Sequence, residues 1–213
     1  MTRLICNISM SLDGFVAGPE ATLEEPLGKG GEQLHEWIFG ERRWREQHGL
    51  EGGERGPSDE ILRESIETPG AIVMGRRMFS GGDGPWSDDP NADAWWGDDP
   101  PFDVPVFVVT HHARETVDKG KTSYTFVTGG LEAALAQAAE AAGDKPVAIA
   151  GGASLVQQSL QAGLLDELEI HVAPFLLGGG VRLFEGAPPA ALELVRVVDA
   201  PNVTHIKYRT GGK

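Results

Sequence analysis

The sequence predicts an α/β layer fold: a mainly parallel sheet with an antiparallel ribbon at its C-terminal edge. Two observations carry this expectation. Through the middle of the chain, short apolar runs such as "AIVMG", "VPVFVVT" and "KPVAIAGG" alternate with segments of helical spacing or helix-forming composition. Near the end, "LELVRVVDAPNVTHIKYR" instead reads as two alternating strands about a turn at residues 199–202. Composition nowhere shifts sharply, so residues 1–213 read as a single domain.

The elements follow in order. Leu4 to Met10 alternates and gives a first strand, with Ser11 to Gly18 as the loop after it and Asp13-Gly14 as a turn signal. "GEQLHEWIFGERRWREQHG" has helical spacing that sets Leu34, Trp37, Ile38 and Trp44 on one side. "SDEILRESIETPG" predicts a helix capped by Ser58, with acidic residues in its first turn and Ile61, Leu62 and Ile66 on one face. "AIVMG" is a buried strand ending on Gly75. Ser80 to Pro105 is rich in Gly, Asp and Pro and carries Trp86, Trp95 and Trp96. A loop of that length in a compact domain is functional or flexible. "VPVFVVTHH" predicts a strand ending at Thr110, "YTFVTG" a short strand, and "GLEAALAQAAEAAGD" an alanine-rich helix. "KPVAIAGG" is a strand, "SLVQQSLQAGL" a helix, and "DELEIHVAPFLLGGG" a long strand with a glycine-rich end.

Composition excludes several function classes. The net charge of −14 argues against nucleic acid or an anionic membrane as partner, since both require clustered positive charge. A single cysteine, Cys6, excludes an internal disulfide and a multi-cysteine zinc site, and no metal is expected. The N-terminal residues show no long apolar core and no window approaches a membrane span, so a cytoplasmic protein is expected. No G-x-G-x-x-G follows a strand. "GKT" at Gly120 to Thr122 lacks the first glycine of a P-loop, because Glu115 stands there. There is no G-x-S-x-G nucleophile elbow.

Ligands of open α/β sheets sit at the carboxyl ends of the strands, and three strand ends here are distinctive. One joins Gly75 to Arg76 and Arg77. A second carries Thr110, His111, His112 and Arg114. The third joins Gly151-Gly152 to Ser154 at a helix start. Glycine removes the Cβ that keeps a phosphate away, and a helix N-terminus offers free N–H groups. Five potentially cationic side chains thus gather at two strand ends of an acidic chain, as a dinucleotide with several phosphates needs. Taken singly, each feature also has a plainer reading. The glycine pair is a turn, the arginines a solvated pair, the histidines a capped strand end, and Asp88, Asp89, Asp93, Asp98 and Asp99 a solvated acidic loop.

"MSLDGFVAGP", "GAIVMGRRMF", "PVFVVTHHAR", "AIAGGASLVQQSLQAGLLDELEIHVAPFLLGGGVRLFEG" and "VTHIKYR" together resemble the dihydrofolate-reductase-like family, in the branch of the reductase domain of bacterial riboflavin biosynthesis and its stand-alone relatives. The resemblance runs in order from about residue 3 to 209 and is weakest over residues 21–55. It implies a three-layer α/β/α domain, often a homodimer, that binds NADPH. Gly75, Arg76 and Arg77 match the turn that holds the cofactor phosphates. Thr110 and His111 match the strand end facing the adenosine 2′-phosphate. Gly151, Gly152, Ala153, Ser154 and Leu155 match the loop over the pyrophosphate, and Ala17 and Gly18 the loop over the nicotinamide. Dihydrofolate reductases have a cis peptide in this glycine pair, which implies one at Ala150-Gly151. Asp13 matches an aspartate on the substrate side, where it would orient a hydroxyl or amine or relay a proton. Turn capping is its other reading. The helix carboxylate of dihydrofolate reductase has no clear counterpart, Glu36 being the nearest.

The resemblance therefore implies an NADPH-dependent reductase that passes hydride to a C=N or C=O carbon of a small heterocyclic or sugar-derived substrate, similar to 5-amino-6-(5-phosphoribosylamino)uracil reductase. The same scaffold also admits a non-enzymatic nucleotide-binding or sensor protein. The tryptophan-rich loop from Gly84 to Pro101 is expected to close over a ligand, stack on a flat ring, or pack in a core or dimer interface.

Overall fold

The structure is a computed structural model and describes residues 2–211. β1 (Leu4–Ser11) turns through Asp13-Gly14 into β2 (Phe15–Ala17). A 3-10 turn at Gly31–His35, α1 (Glu36–Phe39) and α2 (Arg42–Gln47) follow, then α3 (Pro57–Glu67). β3 (Ala71–Gly75) runs directly into α4 (Arg76–Ser80). After the long loop come β4 (Val106–Val109), β5 (Val117–Lys119), β6 (Thr122–Val127) and α5 (Gly130–Ala142). β7 (Val147–Ile149), α6 (Ala153–Gln161), β8 (Glu167–Ala173), β9 (Val181–Arg182), β10 (Leu192–Ala200) and β11 (Val203–Thr210) complete the chain.

Nine strands form one sheet in the order β10-β11-β8-β1-β7-β3-β4-β6-β5. From β8 to β6 every neighbouring pair is parallel. β5 closes one edge antiparallel, and the β10–β11 ribbon closes the other. β2 and β9 pair separately. The central strands are buried on both faces, so they read as continuous apolar runs and their residues alternate between two cores. Leu4, Cys6, Val73 and Ile149 face α5 and α6. Ile5, Ile72, Met74 and Val108 face the other way, with Phe79 of α4 and Tyr124. α5 presents Leu131, Ala134, Ala138 and Ala142 to the first core at helical spacing. The expected three-layer α/β/α architecture is present.

Over β8 and β11 the second face is polar. His171 and His205 approach Nδ1 to Nδ1 at 2.8 Å, and His205 Nε2 meets Ser58 Oγ at 3.0 Å. The Trp37 ring lies 4.9 Å from both imidazoles and donates its Nε1–H to Ser9 Oγ. Further along, Arg196 donates to Glu64 and Glu169 at 2.8 and 2.7 Å, and Lys207 pairs with Glu64 and Glu167. These bonds fix α1 and α3 against the ribbon end of the sheet.

The structure differs from the sequence reading at several elements. Residues 31–49 do not form one helix: Gly40 separates α1 from α2, and the α1 turn is angled so that Trp37 enters the polar layer. Ser58 does not cap α3. Pro57 takes the first helical position after Gly56, which frees the Ser58 hydroxyl for His205. β8 stops at Ala173, so the glycine-rich "LLGGG" is loop rather than strand. The short strands β2, β5 and β9 have too few residues to show a period.

Burial lowers the affinity of both imidazoles for protons, to a pKa of about 3 for His171 and about 4 for His205. Unfolded, each ring takes a proton near pH 6.5. The unfolded chain therefore binds more protons between the two values, and stability falls as pH drops from about 6.5 toward 4. The limiting slope is about 1.4 kcal/mol per pH unit for each ring. Urea midpoints measured across that range will decline; a flat profile would show that the pair does not carry acid sensitivity.

Candidate functional site

β7, β3 and β4 are adjacent and parallel, so their carboxyl ends open on one edge. Ala150 N–H donates to the Val73 carbonyl at 3.0 Å. A Cβ placed on Gly75 would touch Leu155 Cδ1 at 3.9 Å, and one on Gly151 would touch Met78 Sδ at 3.6 Å. The starts of α4 and α6 therefore lie side by side. Gly151 and Gly152 have φ of +139° and +85°, values that L side chains rarely adopt. The Ala150-Gly151 peptide is trans, not cis as expected, because the two positive-φ glycines make the turn without it. A Cβ on Gly152 would meet nothing within 4 Å, so the backbone is bare there. α6 has no side-chain cap, and the N–H groups of Ala153, Ser154 and Leu155 precede its first helical bond.

The arginines are placed very differently from one another. Arg76 is 6% exposed. Its guanidinium lies 3.6 Å from the Trp86 ring centroid, donates to Asp89 Oδ2 at 2.5 Å and also donates to Ser80 Oγ. Burial alone would raise the Asp89 carboxyl, but hydrogen bonds from Ser80, Arg76 and the Asn91 N–H hold it below the ordinary range. Arg77 is exposed and pairs with Asp83 at 2.5 Å. Arg114 lies 4.7 Å from the Trp86 centroid, donates to the Ala92 carbonyl and pairs with Asp93 at 3.3 Å. Trp86 Nε1–H donates to the His112 carbonyl and Trp96 Nε1–H to the Met78 carbonyl. The long acidic loop is thus a strap, bound across the ends of β3 and β4 by one aspartate for each arginine. Thr110 is buried beside it and accepts the His112 N–H, while His111 is exposed.

Asp13 sits at the end of β1. It accepts the Ser11 hydroxyl at 2.6 Å and the N–H groups of Leu177 and Gly178 at 3.0 and 2.7 Å. These donors, the Ser11 hydroxyl foremost, push its carboxyl down to about 2. It is an ionised clamp between the first turn and the "LLGGG" loop. Ala17 and Gly18 lie in tightly packed backbone: a Cβ on Gly18 would collide with the Lys29 carbonyl, and one on Gly180 with that of Ala17. Gln157 of α6 donates to the carbonyls of Arg182 and Leu183, tying the β2–β9 pair to the same helix that carries the glycine turn. Glu36 is exposed on α1.

The structure thus brings Gly75, Gly151, Gly152, Ala153, Ser154 and Leu155 together, with Arg77, Thr110 and His111 on the neighbouring ends. It withdraws Arg76 into the strap. Sequence reasoning missed Ser80, Asp83, Asp89 and Asp93 as partners. Their signal was the one-to-one match of strand-end arginines with aspartates of a single loop. Among the described residues, no group of three or more His, Cys, Asp or Glu is arranged to hold a metal ion. The cavity lined by Arg43, Glu67, Val104 and Lys145 lies at the opposite edge, where β3, β4 and β7 begin.

The sequence model of the RibD C-terminal domain matches residues 2–206. The chain belongs to the RibD C-terminal domain family. No curated protein matches the sequence. Among solved structures, a Shewanella sp. PV-4 protein provisionally assigned to riboflavin biosynthesis is similar at 24% identity and TM-score 0.64, over 99% of both chains. The Thermotoga maritima diaminohydroxyphosphoribosylaminopyrimidine deaminase/5-amino-6-(5-phosphoribosylamino)uracil reductase is similar at 14% identity and TM-score 0.59, over 98% of this chain and 56% of that one. Dihydrofolate reductase from Enterococcus faecalis, complexed with NADP(H), is similar at 14% identity and TM-score 0.53, over 98% of this chain and 96% of that one. At these identities the likeness shows the fold: the RibD C-terminal domain is built like dihydrofolate reductase.

The two adjacent arginines differ in kind. Arg76→Ala leaves Asp89 buried without its cation and is expected to cost about 3–5 kcal/mol of stability. Arg77→Ala removes only an exposed pair and should stay within about 0.5 kcal/mol of the parent. Urea unfolding of the two variants measures the contrast, and equal losses would contradict it.

Proposed function

We propose that the protein is a reductase of the riboflavin-pathway type, using NADPH to reduce a C=N or C=O of a small heterocyclic or sugar-derived substrate. The observation that carries this reading is the cradle at the strand ends: two positive-φ glycines with open space beside Gly152, leading into the uncapped start of α6. A pyrophosphate fits there, because backbone N–H groups face it and no Cβ stands in the way. The N–H groups of Ala153, Ser154 and Leu155 would hold it. Arg77, Thr110 and His111 line the adjoining strand ends, where a further phosphate would lie. Arg76 contributes by holding the strap. The rigid Ala17-Gly18 backbone would support the nicotinamide end. NADPH, when bound, supplies the hydride.

Asp13 accepts three donors and fixes the 177–178 loop, and from that position it would orient a substrate hydroxyl or amine or relay a proton. That same engagement favours the second reading, a nucleotide-binding protein without turnover. The exposed Leu192, Leu194, Val195 and Val197 of the edge strand β10 support a homodimer, since a second copy would cover them. Among the described residues no helix is long and apolar enough to cross a membrane, and the charge of −14 disfavours nucleic acid.

Titration with NADPH and NADH, followed by tryptophan fluorescence, tests the cofactor. NADPH is expected to bind, and Gly152→Val to weaken it by about tenfold or more, by forcing a β-branched residue to φ +85° and filling the cradle. Consumption of NADPH with 5-amino-6-(5-phosphoribosylamino)uracil tests the reaction. Binding with no turnover on this or related pyrimidines would favour the second reading, and binding of neither dinucleotide would remove the first.

A further inference from the structure

Three guanidiniums stand at the ends of β3 and β4, and the strap supplies an aspartate to each, but only one of these pairs is exchangeable. Arg76 and Asp89 have side chains 6% and 3% exposed, beneath Trp86. Arg114 is held by the Ala92 carbonyl and two aromatic rings as well as by Asp93. Arg77 and Asp83 are 77% and 64% exposed, and the residue pairs through two of its nitrogens at 2.5 and 3.0 Å. Asp83 lies in the run Gly81-Gly82-Asp83-Gly84, where a Cβ on Gly84 would meet nothing within 4 Å. Gly82 abuts Asp89, where a Cβ would stand 3.0 Å from Oδ2, but the open Gly84 side lets the exposed carboxylate turn away from Arg77. Arg77 also lies on α4, whose start adjoins the glycine cradle, and among the described residues it meets no other carboxylate at ion-pair distance.

We propose that Asp83 is a built-in competitor for the ligand phosphate at Arg77. Its carboxylate holds the guanidinium in the free protein and is exchanged for a phosphate when ligand binds, so Asp83 sets how strongly the site prefers a ligand carrying that phosphate. The inference rests on the dinucleotide reading of the cradle. Because α6 would take the pyrophosphate shared by NADPH and NADH, the phosphate left for Arg77 on α4 is the one NADPH alone carries. The exchange breaks one charge-assisted pair and forms another, with Asp83 released to water. It also explains why an exposed arginine beside a phosphate cradle can be paired and still serve: an exposed pair contributes little and gives way readily.

The test compares NADPH and NADH affinities of the parent, Asp83→Asn, Arg77→Gln and the double variant, by tryptophan fluorescence. Asp83→Asn is expected to tighten NADPH about fivefold and leave NADH unchanged. Arg77→Gln should weaken NADPH, and in its background Asp83→Asn should have no further effect. In a protein that binds NADPH, an unchanged affinity in Asp83→Asn overturns the proposal while leaving the cradle intact. So does equal tightening of both dinucleotides, or a gain that persists without Arg77. Failure of the parent and every variant to bind NADPH overturns the cradle reading, and the competitor with it.

Discussion

The buried ion pair between Arg76 and Asp89 governs the functional edge of the molecule. Removing both charges from water is costly, and the Coulombic gain offsets that cost only when the remaining polar atoms are also satisfied. Here Ser80 bridges the pair, the Asn91 N–H adds a donor to Asp89, and the Trp86 face covers the guanidinium, which leaves Arg76 Nε as the one buried atom of the pair without a hydrogen-bond partner. Trp86 is in turn held by the His112 carbonyl and packs edge-on against Phe79 and Phe126. One pair thus converts a loop rich in glycine, aspartate and proline into a wall over β3 and β4. Everything at those strand ends takes its position from that wall: the exposure of Arg77, the burial of Thr110 and the placement of Arg114.

The opposite end of the sheet is built on a related constraint. β8 and β11 turn histidine, glutamate and lysine toward α1 and α3 where the central strands turn aliphatic residues. Such a layer is stable when its polar groups find partners, and here Arg196 Nε is an exception, buried without one. His171 and His205 share a short nitrogen–nitrogen contact, so one proton between the rings serves both. Ser58 is available for the outer nitrogen because Pro57 begins the helix in its place. The two ends of the second face therefore use different physics: an apolar cluster beneath α4 and a polar layer over β8 and β11. Apolar packing fixes α5 and α6, the second of which follows the glycine cradle, and polar pairing adds to the buried Trp37, Ile61 and Leu62 in fixing α1 and α3.

The alternation of strands and helices was legible in the sequence because buried parallel strands are short, apolar and bounded by glycine. The glycine turn at Gly151-Gly152 was legible for the same reason, since an apolar run stops on two glycines and a helical run follows within a residue or two. The fate of Arg76 was not. Arg76 and Arg77 are chemically identical neighbours, and only the path of the strap decides that one is buried and the other exposed. That path depends on Trp86, Asp89 and Ser80 meeting across a loop with no period to read. Asp13 was ambiguous in a similar way. A turn aspartate and a substrate-side aspartate look the same in sequence, and the difference lies in two N–H groups contributed from 164 and 165 residues away. The cis peptide implied at Ala150-Gly151 is replaced by backbone freedom that the glycines already possess.

For a chain of net charge −14, the proposed anion site sets the overall field against the local one. The arrangement at the strand ends resolves it locally. Each of the three guanidiniums at the ends of β3 and β4 is matched by an aspartate, so those ends carry little free positive side-chain charge. The attraction for a phosphate then comes mainly from backbone N–H groups at the start of α6, which are fixed by the fold and belong to no titratable group. An anion held this way is selected by shape, because the donors are useful only where Gly151 and Gly152 let it approach. Side-chain charge remains as a graded contribution at one exposed position. In the proposed reading, reach and geometry would be set by the cradle, and discrimination between ligands that share it would fall to Arg77 and the carboxylate that holds it.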